Sequence, residues 1–334
     1  MLRLELFSHN DQRLQQFMKF ADNLYVDDPY YQNTPEIKIS VPATFFLTLE
    51  KDKPQARAAL IENPHLQYSK HTPALLGYYE ATDNPEATTF LFQQIEKYAR
   101  QKDYTYLLGP LNASTWYSYR LTEPDTRPPF FLDNYHKPWY TRQFRENGFK
   151  PITTYYSASL FKENFKPRPL SYQKVLLNRN IQIRSIDIEN FDHDLYQIYR
   201  LTLDAFRYNF LYTPIEFSEF LELYRPVKNY LNTDYSLLAF DAKGKLISFL
   251  FSVDNIFDKT KKALILKTLA NSSDIKAKGT ATILTEIVHR QAFESGYDEV
   301  IHALMHKNNI SRNISAKNAT TFRHYTLFGK DLCH

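Results

Sequence analysis

Residues 271–284 read NSSDIKAKGTATIL, and this stretch decides the fold. Upstream, Ala263–Asn271 is an apolar run of strand length. Downstream, Thr280–Ser295 carries Ile283, Leu284, Ile287, Val288 and Ala292 at helical spacing and stops at Gly296. The unit is strand, turn, helix, with Lys276, Lys278 and Gly279 where the helix begins. A helix N-terminus presents unpaired N–H groups and a partial positive charge, so lysines there are unfavourable unless an anion is bound. A phosphate group would resolve that conflict, and Gly279 lets the backbone approach it closely.

The same series occurs earlier in the chain. Pro73–Glu80 is a strand, residues 86–101 a helix with Phe90, Leu91, Ile95 and Tyr98 inward, and Tyr104–Leu108 a strand. Its helix begins within EATDNPEATTF (80–90): Asn84 caps, Pro85 occupies the first turn and Glu86 follows. That start is satisfied internally and is acidic, so it would repel a phosphate.

Further strands are expected at Leu2–Phe7, Ala43–Leu49, Thr153–Phe161, Ile181–Ile186, Glu299–Met305 and His324–Phe328. Tyr235–Phe240 and Leu246–Val253 form a hairpin. Helices are expected after Asp11, over Lys137–Asn147, over Phe191–Ala205 and over residues 215–224. The run 166–180, rich in proline, lysine, arginine and asparagine, is the natural linker. The expectation is an α/β (α+β) protein of two halves, 1–165 and 181–334, each a mixed central sheet flanked by helices.

With 334 residues and 43% hydrophobic content, the chain can build two cores. A net charge of +4 tolerates anionic ligands without announcing nucleic-acid binding. The single Cys333 excludes an internal disulfide and any cysteine-based zinc site. No run approaches the ~20 apolar residues of a membrane span, and the N-terminus lacks a signal-peptide core, so a cytoplasmic location is expected. No Walker turn, G-x-G-x-x-G, H-E-x-x-H or G-x-S-x-G occurs.

Lys276-Ala277-Lys278-Gly279-Thr280-Ala281 resembles the pyrophosphate-binding turn of the GNAT acyltransferases, with lysine in place of the usual first Arg or Gln. The strand that follows and the polar run HKNNISRNISAKNATTF (306–322) sit where that family has them. The resemblance implies coenzyme A or acyl-CoA as substrate and no metal. It places Lys276, Lys278, Gly279, Thr280 and Ala281 on the pyrophosphate, Leu269, Ala270 and Asn271 beside the pantetheine arm, and Asn309 and Ser315 at the cofactor's other side. Over most of its length the chain also resembles a bacterial group of tandem GNAT-like proteins, through FMKFADNLYVDDPYY (17–31), LGYYE (76–80), LLGPLN (107–112), YHKPWYTRQFRENGF (135–149) and RHYTLFGK (323–330). This implies a fold, not a substrate.

N-acyl transfer needs a route for the amine proton and often a donor for the departing thiolate. The tyrosine that family commonly places before a Gly-Phe pair is replaced here by phenylalanine in Phe144-Arg145-Glu146-Asn147-Gly148-Phe149. The remaining candidates are Tyr325, which reads first as an aromatic strand residue, and His306, which reads first as a strand end. His324 likewise reads first as a surface or strand-end residue, and Glu286 reads as a solvated face residue. Trp116-Tyr117-Ser118-Tyr119 and Trp139-Tyr140 read first as packing and second as the wall of a groove between the halves. The leading function is transfer of an acyl group from CoA to a small-molecule or peptide amine. An aminoacyl-tRNA-dependent transferase of the Fem type and a non-catalytic CoA-binding protein are the alternatives, and tRNA is the one nucleic acid partner these readings imply.

Overall fold

The structure is a computed structural model that describes residues 1–31, 41–167, 171–308 and 319–333. In chain order the elements are β1 (Leu2–Phe7), α1 (Arg13–Leu24), β2 (Ala43–Glu50), β3 (Lys53–Ile61), β4 (Ala74–Ala81), α2 (Pro85–Gln101), β5 (Tyr106–Gly109), β6 (Leu121–Thr122), α3 (Tyr140–Glu146) and β7 (Lys150–Phe161). There follow α4 (Ser171–Asn178), β8 (Gln182–Ser185), α5 (Phe191–Ala205), α6 (Phe217–Tyr224), β9 (Leu237–Phe240), β10 (Leu246–Asp254), β11 (Ala263–Asn271), α7 (Thr280–Glu294), β12 (Glu299–His306) and β13 (Thr320–Asp331).

The chain forms two compact units. The first comprises residues 1–129, 134–154 and 324–334; the second comprises 130–133 and 155–323. These boundaries do not follow the sequence halves 1–165 and 181–334: residues 155–165 fall in the second unit and 324–334 in the first. The run 166–180 contains helix α4.

In the first unit, β1 to β4 pair antiparallel in order, β4 pairs parallel with β5, and β5 pairs antiparallel with the C-terminal part of β13. The turn between β2 and β3 is made by Lys51 and Asp52, both in the left-handed region at φ 48° and 61°. That geometry matches the right-handed strand twist and closes a two-residue hairpin. Alternation along β2 sends Phe45 to one face, against Phe7 and Phe17 of α1, and Phe46 to the other, into a core built with Leu91, Phe92 and Ile95 of α2 and Phe144 of α3. Phe92 rather than Phe90 is the buried phenylalanine of α2.

The second unit repeats the plan. Strands β8 to β11 pair antiparallel in order, β11 pairs parallel with β12, and β12 pairs antiparallel with residues 155–161 of β7. Helix α7 covers one face through Leu284, Val288, Ala292 and Phe293, which pack with Leu250, Leu264, Leu266 and Val300. Helix α5 packs against β10 and β11. Phe130 and Phe131 join Val253, Ile265, Ile301 and Ala303 in a separate apolar cluster. The expected fold class is therefore what the structure has: helices on mixed sheets, with the strand–helix–strand series 73–108 repeated at 263–305 as parallel pairs flanking α2 and α7.

Candidate functional site

The turn after β11 is held by its own side chains. Asp274 accepts a hydrogen bond from the Lys276 N–H (2.9 Å), and Asn271 Oδ1 accepts from Ala281 N–H (3.2 Å). Asp204, at the end of α5, accepts from Ser272 Oγ and from the Ser273 N–H and hydroxyl. Burial works against that carboxylate, but the Ser273 and Ser272 hydrogen bonds prevail and hold Asp204 below the usual carboxylate range. From the other side, Arg179 donates to the carbonyl of Lys278 (2.7 Å). Gly279 then takes φ +86° at the N-cap position of α7. A Cβ there would meet nothing within 4 Å, so glycine is required by the backbone angle and not by crowding.

This arrangement leaves donors unspent. The N–H groups of Gly279, Thr280 and Thr282 have no acceptor among the described residues. Thr280 Oγ1 is buried without a hydrogen-bond partner. Lys276 and Lys278 are exposed and neither has an ion-pair partner among the described residues. A helix start with three free N–H groups, an unpaired hydroxyl and two unpaired ammonium groups fits an anion with several oxygens.

Beside the turn, the sheet opens. The parallel pairing of β11 with β12 runs from Ala263↔Glu299 to Leu266↔His302 and goes no further. Residues 268–271 remain paired to β10, so their edge toward β12 is free of a strand partner. On β12, a register shift between His302 and Met305 and a positive φ of 59° at Leu304 turn the strand away. Leu269 and Asn271 are half-buried here and Ala270 is buried.

The first unit differs at the matching place. Beyond the last β4–β5 pair, Leu75↔Leu108, the edge of β4 is occupied by its own chain: Leu111 N–H donates to Leu76 O (2.9 Å) and Tyr78 N–H to Asn112 Oδ1 (2.8 Å). A Cβ at Gly77 would sit 2.6 Å from Ile61 and 3.0 Å from Asn112. The start of α2 is closed by Asn84, whose side chain accepts from Ala87 N–H.

Of the two residues expected to carry protons, His306 lies in the second unit at the end of β12, half-buried. Its ring stacks on Phe210 (centroids 5.8 Å) and meets Tyr155 edge-on (4.9 Å). Tyr325 lies in the first unit, fully buried on β13, with the Arg120 guanidinium 5.6 Å from its ring centre. Glu286 is not solvated: it is buried and paired with Arg290 (3.4 Å). Trp139 packs on the core of the first unit and donates its indole N–H to Ala81 O (2.9 Å). Asn309 and Ser315 lie outside the described residues.

Sequence reading missed a pair of histidines in the second unit. His289 of α7 and His302 of β12 place their Nε2 atoms 2.8 Å apart with rings nearly parallel, both buried. His302 forms the last rung of the β11–β12 pairing. Burial pushes it down to about 4 from its usual 6.5. Among the described residues there is no group of three or more potential metal ligands and no helix long and apolar enough to cross a membrane.

The fold has solved counterparts along the whole chain. It matches the GCN5-related glucosamine N-acetyltransferase region of a fungal multi-domain GH3 beta-N-acetylglucosaminidase (TM-score 0.55, 11% identity, 99% of this chain and 38% of that one). It matches a tandem GNAT protein from the clavulanic acid biosynthesis pathway (0.54, 10% identity, 99% of each chain). It also matches an Enterococcus faecalis protein described as a probable N-acyltransferase (0.58, 9% identity, 99% of this chain and 73% of that one). No protein-family model matches the sequence, and no curated protein matches it. The chain has the fold of the GNAT N-acetyltransferases in its tandem form. At these identities the likeness is one of fold.

Proposed function

We propose that the second unit binds acyl-CoA at the 276–281 turn and that the protein transfers the acyl group to an amine. The observation that carries this reading is the set of three unspent N–H groups at Gly279, Thr280 and Thr282, beside a strand whose pairing with β12 stops at Leu266. The diphosphate of the substrate would accept from those N–H groups, with Lys276 and Lys278 adding charge. Ala281, whose N–H is capped by Asn271, would serve by shape instead. The free edge at Leu269, Ala270 and Asn271 suits the amide groups of a pantetheine arm, which need backbone partners on one side.

In the reaction, the neutral amine nitrogen attacks the thioester carbonyl carbon. The C–S bond breaks, the nitrogen gives up a proton, and the thiolate takes one, leaving an amide and a free thiol. His306 is the candidate to receive the amine proton, because it lies on β12 beyond the last rung of the pairing. The first unit, with its β4 edge filled by Leu111 and Asn112, takes no acyl-CoA in this account.

The test is thiol release from acetyl-CoA and longer acyl-CoAs against a panel of amines. Turnover that falls at least tenfold in kcat in His306→Ala, with substrate binding unchanged, supports both the reaction and the role. Binding of acyl-CoA with no turnover on any amine replaces the enzyme reading with a binding protein.

A further inference from the structure

The His289–His302 pair of the second unit stands where the proposed substrate must end. Leu266 and His302 form the last parallel rung between β11 and β12, and both strands deform directly beyond it. On β11, Lys267 has no residue opposite it on β10, which makes a bulge; on β12, the register shifts between His302 and Met305. Successive side chains on each strand point to opposite faces. Ile265 and Ile301 join the cluster with Phe130 and Phe131, while Leu266 and Val300 pack in the core under α7. His302, two residues after Val300, also faces α7 and meets His289 there. Its imidazole therefore lies at the foot of the opening between the strands, on the side that carries the 276–281 turn and the head of α7.

An arm whose diphosphate sits at Gly279, Thr280 and Thr282, and whose amides lie along the free edge, runs from Asn271 back toward Leu266. That edge ends where pairing resumes, so the thioester at the far end of the arm arrives at the Leu266↔His302 rung. The imidazole waiting there is only half committed. His302 is 7% exposed, and its Nε2 is taken up by His289 Nε2 at 2.8 Å. Its Nδ1 has no hydrogen-bond partner among the described residues. A buried ring nitrogen left in that state costs stability, which a polar group arriving at the opening would recover. Burial pushes His302 down to about 4, so the ring is neutral near pH 7 and accepts a proton poorly. What a neutral imidazole can offer at Nδ1 is a hydrogen bond donated to an oxygen. His289 makes this possible: when it gives the hydrogen shared between the Nε2 atoms, His302 carries its own on Nδ1. The His289 ring is itself held edge-on by Phe165 at 5.9 Å.

We infer that His302 is a catalytic residue whose Nδ1–H donates to the carbonyl oxygen of the bound thioester, with His289 as the residue that positions it. This role rests on acyl-CoA binding at the 276–281 turn and adds to it a donor for the reacting oxygen. As the amine nitrogen bonds to the carbonyl carbon, the carbonyl π pair moves onto oxygen and the N–H···O bond strengthens. When that pair returns, the C–S bond breaks and the thiolate leaves. His302 keeps its proton throughout, and the amine proton goes elsewhere, to His306 in the account above.

The probe is acetyl-CoA isotope-labelled at the carbonyl carbon, bound to the wild-type protein, to His302→Asn and to His302→Leu. In the wild type the carbonyl resonance should move downfield of its position in free acetyl-CoA, as that of a hydrogen-bonded carbonyl does. Asparagine places an amide nitrogen where Nδ1 stood and should keep the shift. Leucine should return the resonance to the free position while acetyl-CoA still binds. A second measurement needs no variant: with nitrogen-labelled histidine in the wild type, the bound carbonyl carbon should show through-space dipolar coupling to a histidine Nδ1. Bound acetyl-CoA whose carbonyl sits at the free position or lacks that coupling overturns the role of His302 and leaves acyl-CoA binding standing. A shift that persists in folded His302→Leu does the same. No binding of acetyl-CoA by the wild type overturns the acyl-CoA reading and this role with it.

Discussion

Acid should loosen the second unit through His302. Two imidazoles with Nε2 atoms 2.8 Å apart share one hydrogen: one ring donates and the other accepts. A second proton between them would put a charged ring in a buried site and set two N–H groups against each other. Burial holds His302 at about 4, against 6.5 for an exposed histidine. Between those values the unfolded chain carries a proton at this position that the folded protein does not. The contribution is therefore complete above pH 6.5 and is lost as the pH falls toward 4. At about 1.4 kcal/mol per pH unit, the loss is roughly 3 kcal/mol. The assay is urea unfolding at half-unit steps from pH 7.5 to 4, comparing wild type with His289→Gln/His302→Gln. The double variant begins less stable, but its stability should fall less steeply with acid, the gap closing by roughly 3 kcal/mol across the window. Carboxylates titrating in the same range cancel in the difference. Parallel curves for the two proteins would refute the reasoning.

Three shorter predictions follow from the same geometry. Gly279→Ala forces a side chain into φ +86° and should cost about 1–2 kcal/mol in thermal unfolding, with weaker acyl-CoA binding besides. Asn84→Ala removes the cap of α2 and should cost about 1 kcal/mol while leaving acyl-CoA affinity unchanged, since that helix start is already satisfied by its own side chain. Asn112→Ala strips the acceptor from Tyr78 N–H at a strained position and should cost about 1–3 kcal/mol, read by urea unfolding.

Much of this molecule was legible because apolar spacing and turn chemistry agreed. Ala263–Asn271 and Phe191–Ala205 have the limits their periodicity sets, and the turn at Gly279 adopts the positive φ that a glycine at a helix head implies. Strand β3 escaped notice for a physical reason: its hairpin turn uses Lys51 and Asp52 at positive φ, without glycine or asparagine to signal it, and half of its buried positions are alanines. Helix α4 hid in a stretch whose flanking proline and basic residues read as linker. The division of the chain into units was illegible because each sheet takes its last antiparallel strand from the far half of the sequence, β13 for one and β7 for the other, and long-range pairing leaves no local trace. The lysines and glycine of the candidate site were readable as a pattern. Arg179, just past α4, and Asp204 of α5, which brace the turn, and the His289–His302 pair were not, because only the fold brings them together.

The most direct measurement of the central claim is calorimetry of acetyl-CoA and longer acyl-CoAs, with wild type beside Lys276→Glu/Lys278→Glu. Circular dichroism confirms that both are folded. Reversing two charges at a site where phosphate meets free N–H groups should weaken binding at least tenfold, or about 1.4 kcal/mol. Binding by the wild type and its loss in the double variant would place the substrate at this turn. No binding by the wild type at any acyl length, or equal binding by both proteins, would contradict the account.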